Sequence, residues 1–143
     1  AGKMENTNAL VALALIIGLT GFAIGSMVQA YKKPIDDIPF PNEAINQPSL
    51  PLSQTCLALF ISGVGTYKAG DYRKAKDQFT QVLEQEPNCA EAFHNLGLAY
   101  ANSGDNDKAL RSFLKASDAY DQQNTKEGLD LIKQHLQTLK AFK

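Results

Sequence analysis

The sequence predicts an all-α protein made of one N-terminal transmembrane helix, an extended proline-rich linker, and an α-solenoid of two helix pairs closed by a capping helix. Three features support this prediction: an apolar run without charge, a cluster of prolines after it, and a self-match at an offset of 34 residues in the rest of the chain. The predicted parts are an N-terminal tail (1–8), a transmembrane helix (9–30), a linker (31–52), two repeats (53–123, as 56–89 and 90–123) and a capping helix (124–143).

The apolar run comes first. Residues 6–31 carry no charge, and residues 9–28 read ALVALALIIGLTGFAIGSMV. At about 1.5 Å per residue, a helix of this length spans roughly 30 Å, the thickness of the hydrocarbon core of a bilayer. The segment is therefore predicted to cross a membrane and to contact lipid.

A cleavable signal peptide is the competing interpretation, since Val28-Gln29-Ala30 has the small-residue form of a cleavage site. The run is longer than a usual signal-peptide core, and Lys32 and Lys33 directly follow it, as in a stop-transfer flank. A retained anchor is favoured.

The basic residues beside the anchor predict its orientation. Two lysines, Lys32 and Lys33, follow the run, and one, Lys3, precedes it. Because the more basic flank stays on the inner side of a membrane, the repeats are predicted on the cytoplasmic, stromal or matrix side. The chain begins with Ala1, and the expectation is that a preceding targeting segment was removed.

Small residues recur along the predicted helix at spacings of four, three and four, which places them on one face: Ala14, Gly18, Gly21 and Gly25. In lipid, close backbone approach over small residues is one of the few sources of packing energy between helices. This face is expected to meet another transmembrane helix. The alternative is that glycine is simply common in membrane helices.

The linker contains five of the six prolines, and each proline removes a backbone donor and disfavours helix in the residue before it. An extended chain is expected. It also carries apolar residues at intervals: Ile35, Ile38, Phe40, Ile45 and Leu50. Two interpretations stay open: the linker lies along a protein surface, either that of its own repeats or that of a partner, or it is a passive spacer.

The offset of 34 residues aligns seven identical pairs: Ala58 and Ala92, Gly63 and Gly97, Gly70 and Gly104, Asp71 and Asp105, Lys74 and Lys108, Ala75 and Ala109, Phe79 and Phe113. This period and these residues resemble the tetratricopeptide repeat (TPR), a helix-turn-helix unit. The second copy matches the TPR pattern at nearly every position, whereas the first has Ser62 and Thr66 where Leu and Tyr are usual.

The resemblance places helices near 53–68, 72–85, 89–102 and 106–120. The small glycines are expected to let the two helices of a repeat approach, and Phe79 and Phe113 to fill the space between repeats. Each Gly-Asp turn combines a glycine at a helix end with an aspartate that can cap the next helix. The capping helix has its apolar residues at helical spacing: Leu129, Ile132, Leu136, Leu139 and Phe142.

TPR domains bind extended peptides or helices on a concave face lined by the first helix of each repeat. The resemblance assigns ten residues to this groove: Leu57, Phe60, Ile61, Val64, Lys68, Glu91, His94, Asn95, Leu98 and Asn102. Phe60 and Val64 stand where the TPRs that grip a C-terminal carboxylate carry a basic residue and an asparagine. The apolar part suggests either a partner helix or the chain's own linker as occupant.

No enzymatic chemistry is predicted, and no catalytic residue, cofactor or metal. The soluble part has eleven basic and eleven acidic residues from Leu52 onward, without the basic excess of a nucleic-acid binder. Cys56 and Cys89 form no C-x-x-C motif and are expected to be buried thiols. His94 and His135 are isolated in sequence and are expected as surface or groove histidines. No small-molecule substrate is expected.

One transmembrane helix followed by a few TPRs resembles the thylakoid TPR proteins of cyanobacteria and plastids that assist photosystem I assembly. This resemblance implies an accessory subunit or assembly factor of a large membrane complex, bound through the helix face and the groove, in a plastid thylakoid membrane with the repeats on the stromal side. Two other functions stay open: an organelle-membrane receptor that recruits soluble partners, and a regulatory module of a membrane enzyme complex.

Overall fold

The computed structural model describes residues 40–142, and the description that follows is confined to them. This part of the chain folds into five helices without a strand: α1 (Gln54–Lys68), α2 (Tyr72–Gln85), α3 (Ala90–Asn102), α4 (Asn106–Gln122) and α5 (Lys126–Ala141). The four predicted repeat helices agree with these bounds to within two residues. The all-α arrangement is consistent with a TPR solenoid.

The predicted membrane anchor, with its small-residue face of Ala14, Gly18, Gly21 and Gly25, lies outside the described residues. Among residues 40–142, no helix combines the length and the apolar character needed to cross a bilayer.

Consecutive helices pack against each other, and contacts also join α1 to α3 and α3 to α5. The first helix of each repeat and the capping helix therefore stand side by side, while α2 and α4 form the other layer. Three neighbouring helices, α1, α3 and α5, thus share one face of the solenoid.

The turn inside each repeat follows from a glycine and an aspartate. Gly70 and Gly104 end the preceding helices with φ of 81° and 84°, a conformation that glycine adopts without strain. Asp71 and Asp105 then accept hydrogen bonds from backbone N–H groups three residues later, at 3.1 and 3.2 Å. The predicted glycine ends and aspartate caps are confirmed.

The two helices of each repeat approach closely at a glycine. A Cβ atom built on Gly63 would lie 2.8 Å from the ring of Phe79, and one built on Gly97 would lie 2.6 Å from the ring of Phe113. The predicted role of the glycines is confirmed. The two phenylalanines were expected to fill the space between repeats. Each lies against the glycine of its own repeat, where only hydrogen occupies the position, and Phe113 also stacks on His135 of the capping helix with ring centroids 5.6 Å apart.

The first repeat uses polar packing where its sequence departs from the TPR pattern. Gln78 donates to Ser62 Oγ and accepts from Thr66 Oγ1, both at 2.6 Å. Gln78 is buried, so its amide needs these partners. Gln78 on α2 therefore pairs with both departures, Ser62 and Thr66 on α1.

The capping helix covers the second repeat. Gly128 lies against Tyr120, and a Cβ atom there would come within 2.5 Å of the ring. Ile132 and Leu139 are buried, as the helical spacing predicts. Phe142 was expected on the same stripe but is 60% exposed, because it lies past the end of α5, where no helix of the described part faces it.

Candidate functional site: a groove that holds an extended segment

The candidate site is the face shared by α1, α3 and α5, here called the groove. Residues 40–49, here called the groove segment, lie in it without helical structure. The segment runs against the direction of α3: its start contacts residues near the carboxyl end of α1 and its end contacts Glu91 in the first turn of α3. The predicted extended geometry agrees with this, and these linker residues lie on the chain's own repeats.

Asn95 on α3 binds the main chain of the segment in both directions. The Ile45 N–H donates to Asn95 Oδ1 at 2.7 Å, and Asn95 Nδ2 donates to the Ile45 carbonyl oxygen at 2.8 Å. The Asn95 side chain is fully buried. Both bonds involve backbone atoms of the segment, so this contact recognises an extended polypeptide whatever side chain it carries.

Glu91, one turn before Asn95, binds the end of the segment. Its Oε1 accepts from the Ser49 N–H at 3.0 Å and from the Ser49 hydroxyl. Glu91 is only 2% exposed. The ion pairs found in residues 40–142 join Lys68 to Glu43 and Lys108 to Asp105, so this buried carboxylate has no cationic partner among the described residues.

A tyrosine holds the start of the segment. The Tyr67 hydroxyl donates to the Pro41 carbonyl oxygen at 2.6 Å and accepts from Asn102 Nδ2 at 2.8 Å. Tyr67 is buried, and burial raises the pKa of its hydroxyl, so it stays protonated and able to donate.

The ring of Phe40 occupies an aromatic pocket. Its centroid lies 6.0 Å from that of Phe113 and 5.7 Å from that of His135, and only 4% of the residue is exposed. Beside these rings, the ring centroid of His94 lies 5.0 Å from that of His135. The His94 Nδ1 atom is 3.0 Å from the Tyr120 hydroxyl. The pocket thus presents ring faces and edges that suit an aromatic guest.

Both histidines of the pocket are neutral near pH 7. Burial, with a smaller contribution from the neighbouring His135, lowers the pKa of His94 to about 3. Burial also lowers the pKa of His135. The two histidines were expected at the surface or in the groove. The structure excludes the surface, because His94 is fully buried and His135 is 8% exposed, with the two rings meeting edge to face.

Part of the hydrogen-bonding capacity under the segment is unused. Glu91 Oε2, His94 Nε2 and Asn102 Oδ1 are buried without a hydrogen-bond partner among the described residues. All three residues lie on α3, and Glu91 binds the segment through its other oxygen. Buried polar atoms without partners are uncommon in folded proteins, and each lowers stability.

The structure separates the ten groove residues predicted from the sequence into three groups. Of the polar residues on α3, Glu91 and Asn95 contact the segment directly, Asn102 acts through Tyr67, and His94 lies beside His135 of the aromatic pocket. Phe60 and Leu98 are core residues, and Phe60 packs edge-on against Phe79 at 5.8 Å.

The remaining predicted residues lie on α1 and are more open. Leu57 is 37% exposed, Ile61 is 58% exposed and Val64 is half-buried. Lys68 is exposed, with its Nζ 3.6 Å from Glu43 of the segment. Whether any of these residues binds a partner stays a prediction.

Three contact residues were not among the predicted set. Tyr67 lies one turn after Val64 on the same helix, so the spacing that predicted Val64 could have included it. Phe113 was predicted to fill the space between repeats and was not assigned to the groove. His135 lies on α5, far from His94 in sequence, and no local pattern connects them.

The two thiols offer no reactive centre. Cys56 and Cys89 are fully buried, and burial raises the pKa of both, to about 11 for Cys89. In residues 40–142, no cluster of three or more His, Cys, Asp or Glu side chains has the arrangement of a metal site.

Comparison with known proteins agrees with this architecture. No curated protein is significantly similar to the chain. Residues 66–125, from the last turn of α1 to the start of α5, match the family described as Tetratricopeptide repeat. Together with the stacked helix pairs, this match supports a tetratricopeptide-repeat protein, and such repeats generally bind other proteins and catalyse no reaction.

Proposed function

We propose that this protein is a membrane-anchored, non-enzymatic TPR scaffold that serves as an accessory subunit or assembly factor of a large membrane protein complex. The observation that carries the binding role is the two-way hydrogen bonding between Asn95 and the main chain at Ile45. A surface that binds an extended backbone in this way suits polypeptide ligands and has no feature specific to a small substrate.

The open side of α1 adds a second surface for protein contact. Leu57 and Ile61 lie one turn apart and are both exposed. A cleft of about 450 Å³ between α4 and α5 opens to solvent and is lined by Leu110, Leu114, Leu136, Leu139 and Lys140. Exposed apolar surface of this kind is typical of protein interaction sites.

The membrane part of the proposal rests on the sequence. The uncharged run at residues 9–28 has the length of a bilayer span, and Ala14, Gly18, Gly21 and Gly25 share one face of the predicted helix. The resemblance to thylakoid TPR proteins makes photosystem I the first complex to examine, with the repeats on the stromal or cytoplasmic side. Partners would then be subunits of that complex.

Extraction in a gentle detergent tests this function. The protein is expected to sediment with a large membrane complex, and mass spectrometry of that fraction would identify its partners. A Gly21→Leu variant is expected to leave the complex, because the added side chain prevents close helix approach. Ala23→Leu, on the opposite side of the predicted helix, is the matched control and should be retained.

The outcomes separate the candidate functions. A free monomer after gentle extraction would contradict the stable-subunit role, and recovery with soluble partners alone would favour the receptor. Equal retention of the Gly21→Leu and Ala23→Leu variants would contradict the packing face.

A further inference from the structure

The groove segment fits the groove through its backbone and its phenylalanine but leaves the polar floor incompletely paired. Asn95 and Tyr67 bind main-chain atoms of the segment. Phe40 fills the aromatic pocket. By contrast, Glu91 Oε2, His94 Nε2 and Asn102 Oδ1 are buried without partners among the described residues. The groove therefore has the geometry of a peptide site and unused capacity for a better ligand.

The largest mismatch is at Glu91. This carboxylate is 2% exposed, faces Ser49, and has one oxygen without a hydrogen bond from the described part of the chain. Its desolvation already occurs in the folded chain, so a cation placed here would gain attraction and a charge-assisted hydrogen bond without removing Glu91 from water again. Ser49 itself is exposed, which leaves room for a longer side chain at its position.

We infer that the groove binds, in exchange for residues 40–49, an extended segment of a partner protein that carries an aromatic residue at the position of Phe40 and an arginine or lysine at the position of Ser49. The native segment is then a tethered ligand that fills the groove until the partner arrives. This inference rests on the proposed function, since it specifies the partner class of the same repeat domain.

The tether makes the native segment a strong competitor. A ligand joined to its site by a short connection has an effective concentration on the order of mM. The partner segment must therefore bind more tightly per contact, and the basic residue opposite Glu91 provides part of the difference. Neutral Ser49 satisfies one Glu91 oxygen without compensating its charge, so the native segment stays exchangeable.

A peptide-binding measurement tests the inference. The full chain with Phe40→Ala, in mild detergent, has its own segment weakened and is titrated into fluorescent peptides of residues 40–49: the native sequence, its Ser49→Arg form, and the Ser49→Arg form with Phe40→Ala. The Ser49→Arg peptide is expected to bind at least about tenfold more tightly than the native peptide, the gain typical of a hydrogen bond to a charged group. Loss of the phenylalanine should weaken binding by a similar factor.

Glu91→Gln in the same chain supplies the control, because it keeps the shape and removes the charge. The preference for the Ser49→Arg peptide should disappear there. If both peptides bind equally to the chain with Glu91, or if the preference persists in the Glu91→Gln variant, the inference is wrong. Tighter binding of the native peptide would overturn it as well, and would make the chain's own segment, or that of a second copy, the natural occupant.

A stability measurement covers the case in which the Phe40→Ala chain does not fold. In the full chain, Ser49→Arg is compared with Ser49→Gln. Each substitution is made in two backgrounds, one that keeps Glu91 and one that carries Glu91→Gln. The thermal midpoint is expected to be higher for Ser49→Arg than for Ser49→Gln, and the difference should vanish with Glu91→Gln. An equal or lower midpoint would overturn the inference.

The two proposals fail separately. Absence of the peptide preference, with the protein still in a large complex after gentle extraction, would overturn this inference alone. A free monomer would count against the proposed function while leaving the peptide preference intact.

Discussion

Asn95 and Ile45, fifty residues apart in sequence, hold each other through two hydrogen bonds of 2.7 and 2.8 Å. This pair joins the proline-rich linker to the middle of α3. It makes part of the linker a component of the folded repeat domain, so mutations at the pair should affect stability as well as binding.

Asn95→Ala is predicted to lower the free energy of unfolding by roughly 2–4 kcal/mol, because it leaves a backbone donor and a backbone acceptor without partners. Chemical denaturation followed by circular dichroism measures this, and hydrogen exchange at the Ile45 amide should accelerate. Asn46→Ala is the control, since Asn46 is exposed. Equal effects of the two substitutions would show that the Asn95 contact does not stabilise the fold.

Replacing glycine by alanine should change stability in opposite directions at two positions. Gly97→Ala is predicted to destabilise by about 1–3 kcal/mol, because its Cβ would lie 2.6 Å from Phe113 in a packed core. Gly65→Ala is predicted to stabilise by up to about 1 kcal/mol, since that helical position has open space around it. Thermal unfolding of both variants checks the signs, and a stabilised Gly97→Ala variant would contradict the close approach of α3 and α4.

Two adjacent residues on α1, one buried and one exposed, should respond differently to truncation. Phe60→Ala is predicted to cost about 3–5 kcal/mol, because the ring is fully buried against Phe79. Ile61→Ala should change stability by less than about 0.5 kcal/mol, as Ile61 is 58% exposed. Denaturation midpoints test this pair. Similar losses in both variants would mean that α1 is covered on its outer side, for example by a partner.

Stability should fall in mild acid. Burial lowers the folded-state pKa of His94 to about 3, below the unfolded value of 6.5. The unfolded chain therefore binds more protons below pH 6.5, and stability decreases as the pH falls from 6.5 toward 3. Between about pH 7 and pH 5 this residue alone should remove roughly 2 kcal/mol.

Denaturation at several pH values measures this loss. A His94→Phe variant is the comparison, since it keeps an aromatic ring and has no proton to bind. Its stability should depend less on pH over the same range. An unchanged slope would mean that His94 does not determine the acid sensitivity.

Most of the helical fold could be predicted because its contacts are local and repeated. Gly63 and Phe79, like Gly97 and Phe113, are separated by one helical hairpin, and the repeat places the same pair in each copy. The aspartate caps act over three residues. Such contacts leave a pattern in the sequence, and the prediction succeeded where that pattern was present.

The occupant of the groove could not be predicted in the same way. The spacing of the polar α3 residues Glu91, Asn95 and Asn102 does not show whether a partner or the chain's own linker occupies the groove. The aromatic pocket combines Phe40, Phe113 and His135 from three separate parts of the chain. No periodic signal connects such residues.

The sequence by itself determined the helix pairs, their turns and the close packing within each repeat, because hydrophobic period and turn chemistry act between neighbours in the chain. Only the tertiary structure decided that residues 40–49 lie in the groove, that the rings of His94 and His135 meet edge to face, and that Glu91 is buried without a cation from the described residues. These outcomes depend on which surfaces meet after the helices have formed, and burial then sets the hydrogen-bonding demands and pKa values that the residues alone do not carry.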